Sequence, residues 1–175
     1  GYREDDFSPY LWRSDDLGRT WTSIVGDLPG EPINVIREDP KRPDILYVGT
    51  DMGVYVSVDG GAHWEAFGGA MPGSPIHDLA IHPRDGEIVA ATHSRSAWVA
   101  SVRELQSLTP DLRKKPIHLW PIADMRRSPR WGYDFKAPYD ESSPNKPSVS
   151  GSFWTTSAGK GKAIIKSKYG RIFKE

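Results

Sequence analysis

The chain has 175 residues, no cysteine, and 23 basic against 23 acidic side chains. Zero formal charge offers no global field to nucleic acid or to an anionic membrane, and the missing thiols exclude disulfides and thiolate metal sites. Hydrophobic residues make up only 37%, yet 7 Trp, 7 Tyr and 5 Phe favour a packed fold over disorder, and 17 Gly with 15 Pro suit short strands joined by turns.

No apolar run reaches the roughly 18 residues of a spanning helix, so no membrane span is expected. Gly1-Tyr2-Arg3-Glu4-Asp5-Asp6 has no signal-peptide pattern. Residues 10–29 hold the first motif, Ser14-Asp15-Asp16-Leu17-Gly18-Arg19-Thr20-Trp21. Residues 32–71 follow with four strand signals at Ile33–Arg37, Ile45–Thr50, Gly53–Val58 and Trp64–Phe67. Turn signals separate them: Asp39-Pro40-Lys41-Arg42-Pro43-Asp44, Asp51-Met52-Gly53 and Asp59-Gly60-Gly61. The last of these lies inside a second motif, Ser57-Val58-Asp59-Gly60-Gly61-Ala62-His63-Trp64.

The two motifs share the pattern Ser-x-Asp-x-Gly-x-(Thr/His)-Trp and stand 43 positions apart. Sliding the sequence by 43 lays Pro32-Ile33 on Pro75-Ile76, Ile36 on Leu79 and Pro40 on Pro83 without a gap. It also lays Ile45-Leu46 on Ile88-Val89, and Val54-Tyr55-Val56 on Ala97-Trp98-Val99. Four strands in about 40–45 residues is the period of a β-propeller blade. Residues 10–29, 32–71 and 74–100 then supply about two and a half blades, fewer than the typical 4–8 of a closed propeller. The chain is therefore expected to be part of a larger propeller, or to close against other material; the remaining blades are its first expected partner.

Beyond Val99 the pattern changes. Ser101–Leu108 reads as a short helix, and Thr109-Pro110-Asp111 ends it or starts another turn. Pro116–Ile122 reads as an edge strand, with Pro on both sides. Residues 124–147 are rich in Arg, Pro, Ser and Asp and read as a linker docked by Trp131, Tyr133, Phe135 and Tyr139. Strand signals return at Val149–Thr155, Lys162–Ser167 and Arg171–Lys174, the start of a β-sandwich-like module. The expected division is residues 1–122 for the blades, 123–147 for the linker and 148–175 for the second module. The fold class is all-β.

The motif has a physical rationale as a hairpin clasp. Its Asp accepts hydrogen bonds from turn amides. Gly18 and Gly61 are free to take positive φ. The Ser and Thr hydroxyls tie the two sides together, and the Trp folds over the hairpin. Both stretches resemble Asp-boxes, or BNR repeats, of sialidases, sortilin-type propellers and xyloglucanase-type glycoside hydrolases. Ser14, Asp16, Gly18, Thr20 and Trp21 match the pattern fully. Ser57, Asp59, Gly61 and Trp64 match it too, with His63 replacing the Thr, which puts one cross-hairpin hydrogen bond in doubt. Thr92-His93-Ser94-Arg95-Ser96-Ala97-Trp98 is similar to the closing segment of large secreted proteins of this kind. The resemblance implies a secreted, cell-surface or periplasmic bacterial protein.

In such propellers the Asp-box hairpins lie away from the ligand. The resemblance then implies that Asp51, His77, Asp78, His93 and Arg95 lie on the ligand face. Each also has a structural reading: Asp51 as a turn initiator, the histidines as satisfied hydrogen-bonding groups, Arg95 as a partner of a neighbouring carboxylate. No catalytic residue is assigned. A sialidase needs an arginine cluster around the substrate carboxylate, and Arg95 is one arginine. An inverting glycosidase needs two carboxylates about 6.5–9.5 Å apart, for which Asp51 and Asp78 are candidates. No phosphate loop, nucleophile elbow or His-x-x-x-His pair is present, so neither a cofactor nor a metal is expected. Arg113-Lys114-Lys115 and Arg126-Arg127 are short and read as solvated faces, not nucleic-acid contacts. The leading expectation is a non-catalytic scaffold binding carbohydrate or protein. The rivals are part of a glycoside hydrolase cleft, or a docking subunit of a surface or secretion assembly.

Overall fold

The protein was analysed as a computed structural model, which describes residues 5–69, 71, 73–93, 96–122, 151–157, 159–160, 165–166 and 172–174. It is all-β, with two short helices. The chain divides into two compact units, Gly1–Leu108 and Thr109–Glu175.

The first unit holds three antiparallel sheets. The first pairs β1 (Trp12–Arg13) with β2 (Thr22–Ser23). The second is a four-stranded meander of β3 (Ile33–Glu38), β4 (Leu46–Thr50), β5 (Val54–Ser57) and β6 (Glu65–Phe67). The third joins β7 (Ile76–His82), β8 (Glu87–Thr92) and β9 (Ala97–Ser101). Helix α1 (Arg103–Ser107) follows.

β4 is buried on both faces, and alternation sends its side chains to two different cores. Leu46 and Val48 pack with Leu11, Ile24, Leu28 and Trp64 on the side of the first sheet. Tyr47, with Ile45 just before the strand, packs with Val56, Ile76, Leu79 and Ile88 on the side of the third. The consecutive sheets are thus layered, with a hydrophobic seam on each side of the meander. At Gly49 the second sheet lies hard against the third: a Cβ there would stand 2.6 Å from Ile76 Cγ2, and 2.7 Å from Val35 Cγ1 of its own sheet. Arg37 bridges the same two sheets, donating from Nε to the Leu79 carbonyl at 2.9 Å and pairing with Asp78 at 2.6 Å.

The ladders correct the gapless repeat. β5–β6 repeats β1–β2 at an offset of 43, since Trp12 faces Ser23 and Tyr55 faces Ala66. β3 and β7 also differ by 43, but β4 and β8 differ by 42: Ile36 faces Val48, and Leu79 faces Ala90. Ile88 is therefore the counterpart of Leu46, not of Ile45. Counted between equivalent pairs, the connection from Ile81 to Ile88 is one residue shorter than that from Glu38 to Leu46, and the connection from Ala91 to Ala97 is one residue longer than that from Gly49 to Val54. The two changes cancel in the spacing. Parity decides the alignment, because a one-residue slip would turn the apolar face of β8 to the wrong side. Ile88 and Ala90, in the same core as Leu79, show the true register.

Asp39 is buried in the β3–β4 turn and fully satisfied. It accepts from the Tyr47 hydroxyl at 3.2 Å, from Gln106 Nε2 at 2.9 Å and from the Lys41 and Arg42 amides. Burial, and then the negative charge of Asp39, push the Tyr47 hydroxyl pKa far up. Arg42 pairs with Asp44 and donates to the Gln106 and Leu108 carbonyls, so the turn holds the C-terminal end of α1.

In the second unit, α2 (Pro110–Arg113) is capped by the Thr109 hydroxyl. β10 (Ile117–Leu119), the strand expected between Pro116 and Ile122, pairs with β11 (Phe153–Thr155). β12 (Ile165–Lys166) pairs with β13 (Ile172–Lys174). The expected linker, with its four aromatics, lies outside the described residues.

Gly49→Ala should destabilise the protein by about 1–3 kcal/mol, because the added methyl overfills the seam. Chemical denaturation measures this, and an unchanged midpoint would show that the two sheets can part without cost.

Candidate functional site

The two motif loops are built alike. In the first, Ser14 Oγ donates to Asp16 Oδ1 at 2.9 Å and accepts from the Gly18 amide at 2.7 Å. The Thr20 amide and hydroxyl both donate to Asp16, at 2.8 and 2.7 Å. In the second, Ser57 Oγ donates to Asp59 Oδ1 at 2.8 Å and accepts from the Gly61 amide at 2.9 Å. The His63 amide donates to Asp59 Oδ1 at 3.0 Å, and His63 Nδ1 lies 2.8 Å from Oδ2. Imidazole thus takes the place of the Thr hydroxyl, and the cross-hairpin contact is kept.

The tryptophans differ. Trp21 stays over its own loop, half-exposed, donating from Nε1 to the Gly18 carbonyl at 3.1 Å. Trp64 is buried against the preceding sheet, where its Nε1 donates to the Ile24 carbonyl at 3.1 Å and its amide to Asp27 at 2.7 Å. Gly61, at φ +93, leaves no room for a side chain: a Cβ would stand 2.8 Å from Ile24 Cβ. The second loop is therefore a clasp between successive sheets as well as a hairpin.

At the opposite end of β4 lies a second repeated arrangement. β3 and β7 each carry a bulge, between Ile33 and Val35 and between Ile76 and Asp78. The unpaired residues are Asn34 and His77, and a bulge re-aims its extra side chain. Asn34 Nδ2 donates to Asp51 Oδ1 at 2.8 Å. His77 Nε2 lies 2.9 Å from His93 Nδ1. The partners follow matching threonines: the Thr50 amide donates to the Gly53 carbonyl at 2.9 Å, and the Thr92 hydroxyl to the Ser96 carbonyl at 2.7 Å. The His93 amide also donates to the Pro75 carbonyl at 2.9 Å.

Of the five expected ligand-face residues, the structure joins His77 directly to His93. Asp51 is held by Asn34 at the same end of the strands. Asp78 turns to Arg37 between the sheets, and its carboxylate also accepts the Leu79 amide at 2.8 Å. Arg95 lies outside the described residues. Asn34 and Arg37 were not singled out from sequence, although Asn34 stands 43 positions before His77 and marks the repeated pair. An apolar cleft of about 320 Å³ lies between β5 and β6 of the second sheet and β8 and β9 of the third, lined by Val54, Phe67, Met71, Ile88, Trp98 and Ala100 among others. None of Asp51, His77, Asp78 or His93 lines it. Among the described residues, no group of three or more His, Asp or Glu is placed to hold a metal ion, and no helix is long and apolar enough to cross a membrane.

Comparison with known proteins finds no matching family model and no significant match among curated proteins.

The charges of the second clasp make it pH-dependent. Hydrogen bonding to Asp59, and then its negative charge, raise the His63 pKa above its ordinary value. Partial burial pushes the Asp59 carboxyl up, but hydrogen bonds from His63 and Ser57 outweigh it and leave the pKa lowered. The raised His63 contributes stability that is complete below about pH 6.5 and fades as pH rises through its folded pKa. The lowered Asp59 contributes stability that is complete above about pH 3.9 and fades as pH falls through its folded pKa. His63→Thr should keep the loop and remove the first dependence. Thermal midpoints across about pH 6 to 9 should then fall more for the native chain than for the variant; parallel curves would refute the coupling.

Leu17 occupies the position of Gly60, at φ 60 and fully exposed, whereas Gly60 has φ 75. A left-handed conformation costs a non-glycine residue roughly 1–2 kcal/mol. Leu17→Gly relieves this at the expense of unfolded-state entropy, so a net stabilisation of about 0.5–1 kcal/mol is expected in equilibrium unfolding.

Proposed function

We infer that Gly1–Leu108 is a run of consecutive blades from an Asp-box β-propeller, and that the chain is a non-catalytic scaffold binding carbohydrate or protein in a secreted or cell-surface protein. One observation carries the reading: the two motif loops are closed by matching hydrogen bonds, and β7–β9 repeat the order, pairing and bulge of β3–β5. Asp59 closes one end of the meander, and Asp51 stands at the other, across the five residues of β4 or roughly 16 Å. The clasp end is consumed in holding the fold. The opposite end presents Asn34, Asp51, His77 and His93 as polar groups on strand ends and bulges, where a ligand has access.

A scaffold needs no reactive nucleophile. The two carboxylates considered for glycoside hydrolysis are engaged by Asn34 and Arg37, an arrangement suited to fixed recognition and to bracing between sheets. A glycan array together with a pull-down from the native source identifies the ligand class. Asp51→Ala should weaken binding of that ligand by about tenfold, the loss of one charged hydrogen-bonding group. Asp59→Ala should lower stability by about 1–3 kcal/mol through unsatisfied turn amides, and leave affinity unchanged below its melting temperature. The reverse pattern would overturn the assignment of ends, and hydrolysis of any glycoside in the panel would overturn the non-catalytic reading.

A further inference from the structure

We propose that His77 and His93 form a two-imidazole site for a divalent transition metal, Cu(II) in preference to Ni(II) or Zn(II). The residues are 16 apart in sequence, and both side chains are exposed at the strand ends. The bulge at His77 aims its ring at the residue following Thr92, while the His93 amide bond to Pro75 fixes the other ring's backbone. The site is thus built from a re-aimed side chain and a tethered loop residue.

The spacing is that of a hydrogen bond and lies within reach of chelation. His77 Nε2 and His93 Nδ1 are 2.9 Å apart, with ring centroids at 5.0 Å and planes 64° apart. Two nitrogens each about 2.05 Å from one ion stand about 2.9–3.3 Å apart, so a small rotation of each ring turns both lone pairs onto a shared ion. Among divalent first-row ions Cu(II) binds such nitrogen sites most tightly, above Ni(II) and Zn(II). The contrast with the preceding sheet is informative. There the equivalent pair is Asn34 with Asp51, an amide donating to a carboxylate, which needs no metal and offers no imidazole nitrogen. In the His77–His93 pair each ring brings a nitrogen lone pair once its proton sits on the ring's other nitrogen. Metal entry replaces one N–H···N bond, shifts one ring to its second tautomer, and leaves the charge of the pair itself unchanged. No third protein ligand joins among the described residues, so the other coordination positions fall to water or to a donor on an added ligand.

The test is a Cu(II) titration of the full chain in competition with glycine at neutral pH, with Ni(II) and Zn(II) titrated separately and electron paramagnetic resonance of the Cu(II) form. Expected is one tight site per chain with coupling to two imidazole nitrogens, and tighter binding of Cu(II) than of Ni(II) or Zn(II). His77→Asn combined with His93→Asp installs the side-chain pair of the preceding sheet, so the fold has a known alternative at these positions. Circular dichroism and thermal melting check that the variant is folded. It should bind Cu(II) at least about tenfold more weakly, since even supporting groups around a metal are worth that much. His63, His82 and His118 remain in every variant and supply the baseline. Unchanged Cu(II) affinity in the folded double variant, or a spectrum with fewer than two nitrogens, would overturn the site. Zn(II) binding as tight as Cu(II) would overturn the preference for copper.

Discussion

Burial of β4 on both faces is the constraint on which the rest of the first unit depends. A strand covered on one side can tolerate an error in pairing at the cost of one face. Leu46 and Val48 on one side and Tyr47 on the other leave β4 no such freedom. Any slip would move two sets of side chains into the wrong core at once. The seam with the third sheet is also close, with Gly49 against Ile76 and Val35, so the sheets meet backbone to side chain where a methyl would intrude. Layered packing of this kind lets each short sheet, marginal alone, share a core with its neighbours.

The polar groups serve that layering. Asp39 brings a charge into the interior, and four donor groups satisfy it, one of them from α1. Asp59 organises its own loop, while Asp27 and the Ile24 carbonyl receive the Trp64 that leaves it. Arg37 spans to Asp78 and Leu79. The shared logic is that a carboxylate orders a turn and a longer side chain fastens the turn to the next layer. Trp21 has no such receiver among the described residues: the same residue in the same motif stays half-exposed over its own hairpin.

Much of this was legible in the chain. The motifs, the strands of the meander and the short helix were placed from turn residues and alternation, because hairpin chemistry is local and Asp, Gly and Trp act within eight residues of one another. His63 in place of Thr looked like a lost bond, since sequence compares residue types. The loop instead compares donors, and an imidazole nitrogen reaches Asp59 Oδ2 as a hydroxyl does. The pairing of His77 with His93 was not legible. Both residues were singled out for their position, but their contact depends on a bulge, and a bulge is a property of two strands in register.

The repeat itself divides the two kinds of information most clearly. Sequence alone determined that a unit recurs every 43 residues, that it consists of short strands, and that a Ser-x-Asp-x-Gly loop ends its third strand. Those are consequences of local preference and period. Only the tertiary structure decided that β8 is offset by 42, because the shortened turn before it and the lengthened turn after it cancel in any count along the chain. They do not cancel in space, where alternate residues face opposite cores and Ile88 must sit with Leu79. The same ladder aims Asn34 and His77 at their partners, so the candidate site is a product of pairing that no spacing rule contains.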